Sequence, residues 1–233
     1  MYQLTSKCVY AFLTFSVSRL AKILTRIEIV GIEHIPKSGP LILICNHSHN
    51  VDPPLVGSFF SRTIYTMAKS ELFINPLSRW LFRSVNAFPV ERLKADLQAL
   101  RIARTILNQK KALLLFPEGT RNHGKGLNPA LPGAALIALK TKSPILPIGI
   151  SGTHLISWKS IWFLWLINRR PKLIIEFGEP FELPQMNKEQ DIVEKSTDYM
   201  MRKVADLLSE RYRGVYGEKT KNQIVVARAT SRK

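Results

Sequence analysis

The sequence predicts an α/β sandwich in which a mixed, mostly parallel sheet is flanked by helices. Apolar runs of strand length, such as Leu41–Cys45 and Leu113–Phe116, alternate along the chain with stretches of helical period. The chain has 233 residues and no internal repeat, enough for one well-buried domain with appendages and too few for two domains with a linker. Three regions follow: an amphipathic, membrane-docking N-terminal segment over residues 1–27, a globular domain over 28–213, and a basic, flexible tail over 214–233.

From Cys8 to Ser18 the chain is uncharged and mostly apolar, until Arg19 interrupts it. That falls short of the roughly 20 residues that span a bilayer. Arg19, Lys22 and Arg26 recur at helical spacing as a basic stripe. Val9, Leu13, Val17, Leu20 and Leu24 form an apolar face on the other side. This is the pattern of a helix lying in the headgroup region, and equally of an amphipathic helix packed on the domain. A secretory signal is disfavoured, because only Lys7 precedes the apolar run and no small-residue cleavage site follows.

The strand Leu41–Cys45 ends at Asn46 and leaves His47 at a strand end, where catalytic groups of α/β folds sit. Asp52 follows five residues later, before two prolines that favour a helix starting at Pro53 or Pro54. A carboxylate that accepts from one ring nitrogen fixes the tautomer and leaves the other nitrogen bare to take a proton. The competing structural role is that Asp52 caps the helix and His47 packs near the core.

The stretch Asn86–Arg92 brings an arginine to the end of an extended segment, and residues 93–111 read as a helix. The next strand, Leu113–Phe116, breaks into Pro117-Glu118-Gly119-Thr120-Arg121. Glycine permits close approach to a ligand, and Arg121 can grip a phosphate with two parallel hydrogen bonds. A solvent turn is the competing role. Residues 130–141 form a shorter helix, and Pro144–Ile148 an apolar strand with prolines inside. Trp158, Trp162 and Trp165 then share one helical face near Lys159, Arg169, Arg170 and Lys172, which suits either a membrane interface or a Trp-rich core. Residues 188–213 make a long amphipathic helix capped by Asn187, and a basic tail follows Gly214.

Lys and Arg number 34 against 17 Asp and Glu, so a formal charge of +17 directs the protein to an anionic surface or substrate. Nucleic acid and anionic lipid both qualify by charge. No helix-turn-helix, zinc-finger or RNP-type pattern is present, and the motifs favour lipid over nucleic acid. The two cysteines, Cys8 and Cys45, give no reason to pair, and Cys45 reads as a small buried side chain. No zinc-ligand spacing and no Gly-rich phosphate loop occurs, so no metal and no cofactor is expected.

Taken together and in this order, four segments resemble the glycerolipid acyltransferase family. They are His47-x4-Asp52, the block ending in Arg92, Phe116-Pro117-Glu118-Gly119-Thr120-Arg121, and the proline-centred Pro144–Ile148. The similarity extends to Gly31–Pro36, Ala68–Leu72 and Phe177–Pro180, over roughly residues 28–182, and is greatest to the members that acylate lysophosphatidic acid. The family often has serine two positions after the motif histidine; here that position is His49, and the serine is Ser48. The resemblance implies the same sandwich fold. It also implies acyl transfer from acyl-CoA or acyl-carrier protein to the sn-2 hydroxyl of lysophosphatidic acid, at the cytoplasmic face of an anionic membrane.

In that scheme His47 is the base and Asp52 holds it. Arg92 and Arg121 take the phosphate, with Lys69 as a weaker third. Glu118, Gly119 and Thr120 complete the pocket, a backbone amide near Gly119 faces the developing oxyanion, and Pro147 lines the acyl-donor side. Glycerol-3-phosphate or another lysophospholipid is the alternative acceptor, and a non-catalytic basic membrane-binding protein the alternative class.

Overall fold

The computed structural model describes residues 2–91, 96–157, 161–183 and 191–217, with side chains from residue 7 onward. Its strands are β1 (Arg26–Val30), β2 (Leu41–Cys45), β3 (Ile64–Lys69), β4 (Ala87–Val90), β5 (Ala112–Leu115), β6 (Ile145–Ser151) and β7 (Lys172–Phe177). They form one sheet in the order β1-β7-β6-β2-β5-β3-β4. Every pairing is parallel except β6 with β7. The helices are α1 (Tyr2–Leu24), α2 (Asp52–Phe59), α3 (Pro76–Ser84), α4 (Leu97–Asn108), α5 (Gly133–Thr141), α6 (Ile161–Leu166) and α7 (Ile192–Asp206). The expected mixed, mostly parallel sandwich is what forms.

The uninterrupted apolar runs reflect a sheet covered on both faces. Leu41, Leu43 and Cys45 of β2 join the layer under α1 and α2, while Ile42 and Ile44 join the layer under α4, α5 and α7. Ala112 and Leu114 of β5 face the first layer, and Leu113 and Leu115 the second. Because side chains alternate with period two, each strand feeds both cores. Parallel strands also place their carboxyl ends on one edge of the sheet. Asn46, Phe116, Lys69 and Gly152 therefore all lie on that edge, which is the geometric basis of the site.

Several element boundaries depart from the sequence reading. The helix expected over 93–111 is α4, which starts at Leu97 because Asp96 Oδ1 accepts the Ala99 amide at 2.9 Å. The helix expected from Ala130 starts at Gly133, after Pro129 and Pro132. The long C-terminal helix stops at Asp206 and gives way to a 3-10 turn at Glu210–Tyr212, and the Asn187 cap lies outside the described residues. The sheet claims residues 26 and 27, which the three-region division assigns to the N-terminal segment. At the other end, residues 214–216 stay on the domain: Val215 donates to Leu127 O at 3.2 Å, and the Tyr216 hydroxyl accepts the Ala130 amide at 3.1 Å.

α1 packs on the domain with the face that the sequence offers to a bilayer. Leu24 is buried, Val17 packs against the core, Val9 and Leu13 are half-buried, and the Tyr10 hydroxyl accepts the Ile64 amide at 3.2 Å. Only Leu20 of that set is exposed, and the outward face carries Phe12, Phe15 and Ile23 beside Arg19 and Lys22. The uncovered β2, β3 and α2 side chains are the larger apolar surface, so they take the more continuous face of the helix. At the short helix α6 the core reading of the tryptophans fails, since Trp162 is 61% and Trp165 44% exposed. Trp158 lies outside the described residues. Among the described residues no helix is long and apolar enough to cross a membrane.

Candidate active site

Asn46 extends β2 by one residue with its side chain. Its Nδ2 donates to Ile150 O at 2.8 Å and its Oδ1 accepts the Ile150 amide at 2.7 Å, so an amide side chain continues the backbone pairing to β6 where the strands diverge. The chain is thus held at the point where it turns out of the sheet, and His47 is the next residue.

The His47 ring meets Asp52 at 2.9 Å, Nδ1 to Oδ2. The same Oδ2 accepts the amides of Ser48 and His49, each at 2.7 Å. Asp52 is fully buried, and its Oδ1 has no hydrogen-bond partner among the described residues. The helix cap is Val51, with no side-chain cap bond, so the carboxylate is turned to the histidine loop instead of to the helix end. With Nδ1–H directed at Oδ2, Nε2 is the bare nitrogen that can take a proton. Phe116 packs against the imidazole with ring centroids 4.4 Å apart, fixing the remaining rotation of the ring.

Glu118 holds the histidine from below. Its Oε1 accepts the His47 amide at 2.9 Å, its Oε2 accepts the Asn128 amide at 2.8 Å, and the Asn122 side chain donates to both oxygens at 3.1 and 3.2 Å. Burial pushes the Glu118 carboxyl above the usual carboxylate range, and these donors oppose the shift. With N–H donors from His47, Asn122 and Asn128 on its two oxygens, Glu118 serves as a positioning group for His47. The amide of Gly119 itself closes a turn on Phe116 O at 3.0 Å. Gly119 has φ +66° and a Cβ there would lie 2.6 Å from Leu131 Cδ1, so the turn requires glycine.

The other candidates divide. Thr120 and Arg121 are exposed on the edge that carries His47, and Arg121 is near enough to His49 to disfavour positive charge there. Lys69 ends β3 on the same edge but is paired with Glu71 at 2.9 Å. Arg92 lies outside the described residues, just beyond β4. Pro147 does not join this group: it is buried within β6, opposite Ile44, and its carbonyl accepts the Gly178 amide at 2.9 Å. It occupies the gap between the Ile145–Phe181 bridge and the β6–β7 pairing that begins at Ile148, where a missing N–H costs no sheet bond.

Sequence reasoning missed Asn122, and with it the reason Ser48 is serine. The Asn122 amide donates to His47 O at 2.7 Å, and its Oδ1 accepts from the Ser48 hydroxyl and the Gly124 amide, each at 2.9 Å. Both backbone groups of His47 are therefore held by one loop. The available signal was an asparagine three residues after a Pro-Glu-Gly turn and two before a further glycine. His49 and His154 lie close enough to the site to sense its charges. Each is held below the usual histidine range, first by burial, and both feel the Asp52 charge from the site.

This architecture, a base and carboxylate at the carboxyl edge of a doubly covered sheet, is that of an α/β transferase site. A family model described as Acyltransferase matches residues 26–151, more than half of the chain, and the chain belongs to that family. Two curated relatives named 1-acyl-sn-glycerol-3-phosphate acyltransferase illustrate the range. The protein of Cocos nucifera is 35% identical over 121 residues, which are 51% of this chain and 39% of that protein. The protein of Haemophilus influenzae is 28% identical over 178 residues, 74% of this chain and 72% of the other. The match thus spans well under half of the coconut protein. Among solved structures, the 1-acyl-sn-glycerophosphate (LPA) acyltransferase of Thermotoga maritima superposes with a TM-score of 0.66 at 26% identity, covering 89% of this chain and 83% of that one.

Proposed function

We propose that the chain transfers a fatty acyl group from acyl-CoA or acyl-carrier protein to the sn-2 hydroxyl of lysophosphatidic acid, giving phosphatidic acid. The observation that carries this reading is the His47–Asp52 contact at 2.9 Å, with both backbone groups of His47 clamped by the Glu118–Asn122 loop. The names of the relatives supply the acceptor. His47 Nε2 takes the hydroxyl proton as the acceptor oxygen attacks the thioester carbonyl, and Asp52 stabilises the imidazolium. Collapse of the tetrahedral intermediate breaks the C–S bond, and the imidazolium returns the proton to the departing thiolate. No covalent acyl-enzyme is needed, because the thioester is already activated. Arg121 supplies a cation that does not lose its charge for the phosphate, with Lys69, at the end of β3, and Arg92, from its place in the sequence, as further candidates.

The acceptor and product are bilayer amphiphiles, so the protein works bound to one anionic leaflet, at its cytoplasmic face. The support is the outward face of α1 and the exposed Trp162 and Trp165, next to Arg169 and Arg170. The test is a panel of lysophosphatidic acid, other lysophospholipids and glycerol-3-phosphate, offered with labelled acyl-CoA and acyl-carrier protein. Phosphatidic acid should form fastest from lysophosphatidic acid. Faster transfer to glycerol-3-phosphate would replace the acceptor, and no transfer to any acceptor would overturn the enzyme reading.

A further inference from the structure

The segment joining β3 to β4 carries an apolar surface that the catalytic reading does not use. Within it, α3 opens with Pro76 after Asn75, whose side chain accepts the Leu77 amide at 2.9 Å. Its inner side is held by Phe82, which packs on Phe73 with ring centroids 5.6 Å apart. The outer side is apolar: Leu77 is 73% and Trp80 52% exposed, with Leu81 beside them and Ile74 at the foot of the helix. Leu77, Trp80 and Leu81 sit at i, i+3 and i+4 and so share one face. The stretch 72–85 contains no acidic residue, and Arg79 and Arg83 are exposed along the helix. Arg79 also donates to the carbonyls of Phe73 and Ile74, which locks the base of the helix in place.

We propose that α3 is a membrane-inserting element, docking at the boundary between headgroups and acyl chains of an anionic bilayer. Three features select that occupant. Exposed large apolar side chains at this density mark an interaction surface. Tryptophan flanked by arginine suits the interface, where an aromatic body sits against acyl chains and a cation reaches phosphate. α3 also touches α1, the helix whose exposed side carries Phe12 and Phe15. The chain enters α3 from Lys69, at the carboxyl end of β3, through the turn Ser70–Phe73, so insertion here sets the bilayer beside the strand ends that carry the site. The inference rests on the membrane-bound reading above and adds a surface to it.

The test uses the full chain carrying Trp158→Phe, Trp162→Phe and Trp165→Phe, which leaves Trp80 as the one tryptophan, and vesicles of phosphatidylglycerol and brominated phosphatidylcholine. Quenching and a blue shift of Trp80 emission on vesicle addition are expected. A companion variant, Leu77→Ser with Trp80→Ser and Leu81→Ser, should bind the vesicles roughly tenfold more weakly, equivalent to about 1.4 kcal/mol, at an unchanged melting temperature. If the protein sediments with vesicles while Trp80 stays unquenched, the inference is overturned and attachment through α1 survives. If the unsubstituted protein does not sediment at all, both readings fall. A Trp80 blue shift without lipid that tracks a concentration-dependent rise in mass shows a second copy of the chain on this face, and also overturns it.

Discussion

The backbone of His47 and the carboxylate of Glu118 are joined by a hydrogen bond of 2.9 Å that closes 71 residues of chain. This bond explains how two loops at the ends of adjacent strands, β2 and β5, act as one unit. The base is oriented twice, at its ring by Asp52 and at its backbone by Glu118 and Asn122. Orientation of this kind carries catalytic weight, because displacement by about 1 Å can cost roughly 10²-fold in rate.

The ring contact predicts the largest loss. His47→Ala should lower turnover by roughly 10²-fold to 10⁴-fold, the usual worth of a positioned general base, while acceptor binding changes little. Asp52→Asn should be similarly damaging although its oxygen can still accept the three N–H groups, since only the charge opposite the imidazolium is removed. Near-normal turnover of either variant in liposomes would show that the dyad is not the base system.

The backbone contact predicts a different signature. Asn122→Ala should lower kcat by up to about 10²-fold with KM nearly unchanged. It should also destabilise the fold by about 1–3 kcal/mol, because buried partners on Ser48 and Glu118 are left unmade. A rise in KM at constant kcat would place Asn122 against the substrate instead.

Arg121 stands at the rim, so its removal should spare the fold. Arg121→Ala should raise KM for a phosphate-bearing acceptor by the equivalent of about 1.5–3 kcal/mol, the range for hydrogen bonds to charged groups, and leave the melting temperature unchanged. An acceptor without phosphate should be indifferent, and equal losses on both acceptors would rule out phosphate recognition.

Acid should weaken the loops around the site. His49 and His154 sit below their ordinary value of about 6.5, chiefly through burial, with Arg121 and His123 adding to the effect at His49 and Arg211 at His154. A lowered folded-state value means that the unfolded chain binds more protons below that pH, so stability is full above about 6.5 and declines as pH falls. Replacing both by glutamine should reduce the fall in melting temperature between about pH 7.5 and 5.5. An identical fall in the variant would assign the acid sensitivity to other groups.

The two faces of α1 separate stability from attachment. Leu24→Ala, on the inner face, should cost about 2–5 kcal/mol of stability without altering vesicle binding. Phe12→Ser with Phe15→Ser, on the outer face, should weaken vesicle binding without moving the melting temperature. The reverse pattern would show that the face of Val9, Leu13, Val17 and Leu24 meets the bilayer instead.

Local chemistry determined what was legible in the sequence. The apolar runs at Leu41–Cys45 and Leu113–Phe116 have no stable alternative to buried strands, and the five-residue spacing of His47 and Asp52 closes a contact within one loop. Together with the later blocks they disclosed the sheet, the candidate base and the family. Tertiary packing decided the rest. β3 and α3 are short, six and nine residues long, so neither stood out from the pattern. Glu118 and Asn122 looked like turn residues, and only the pairing of β2 with β5 brings them under His47 across some 70 positions. The apolar face of α1 was visible, but its direction was not. Periodicity shows that a helix has a side to bury, and the surface it is buried against is set by which neighbour has apolar area left uncovered.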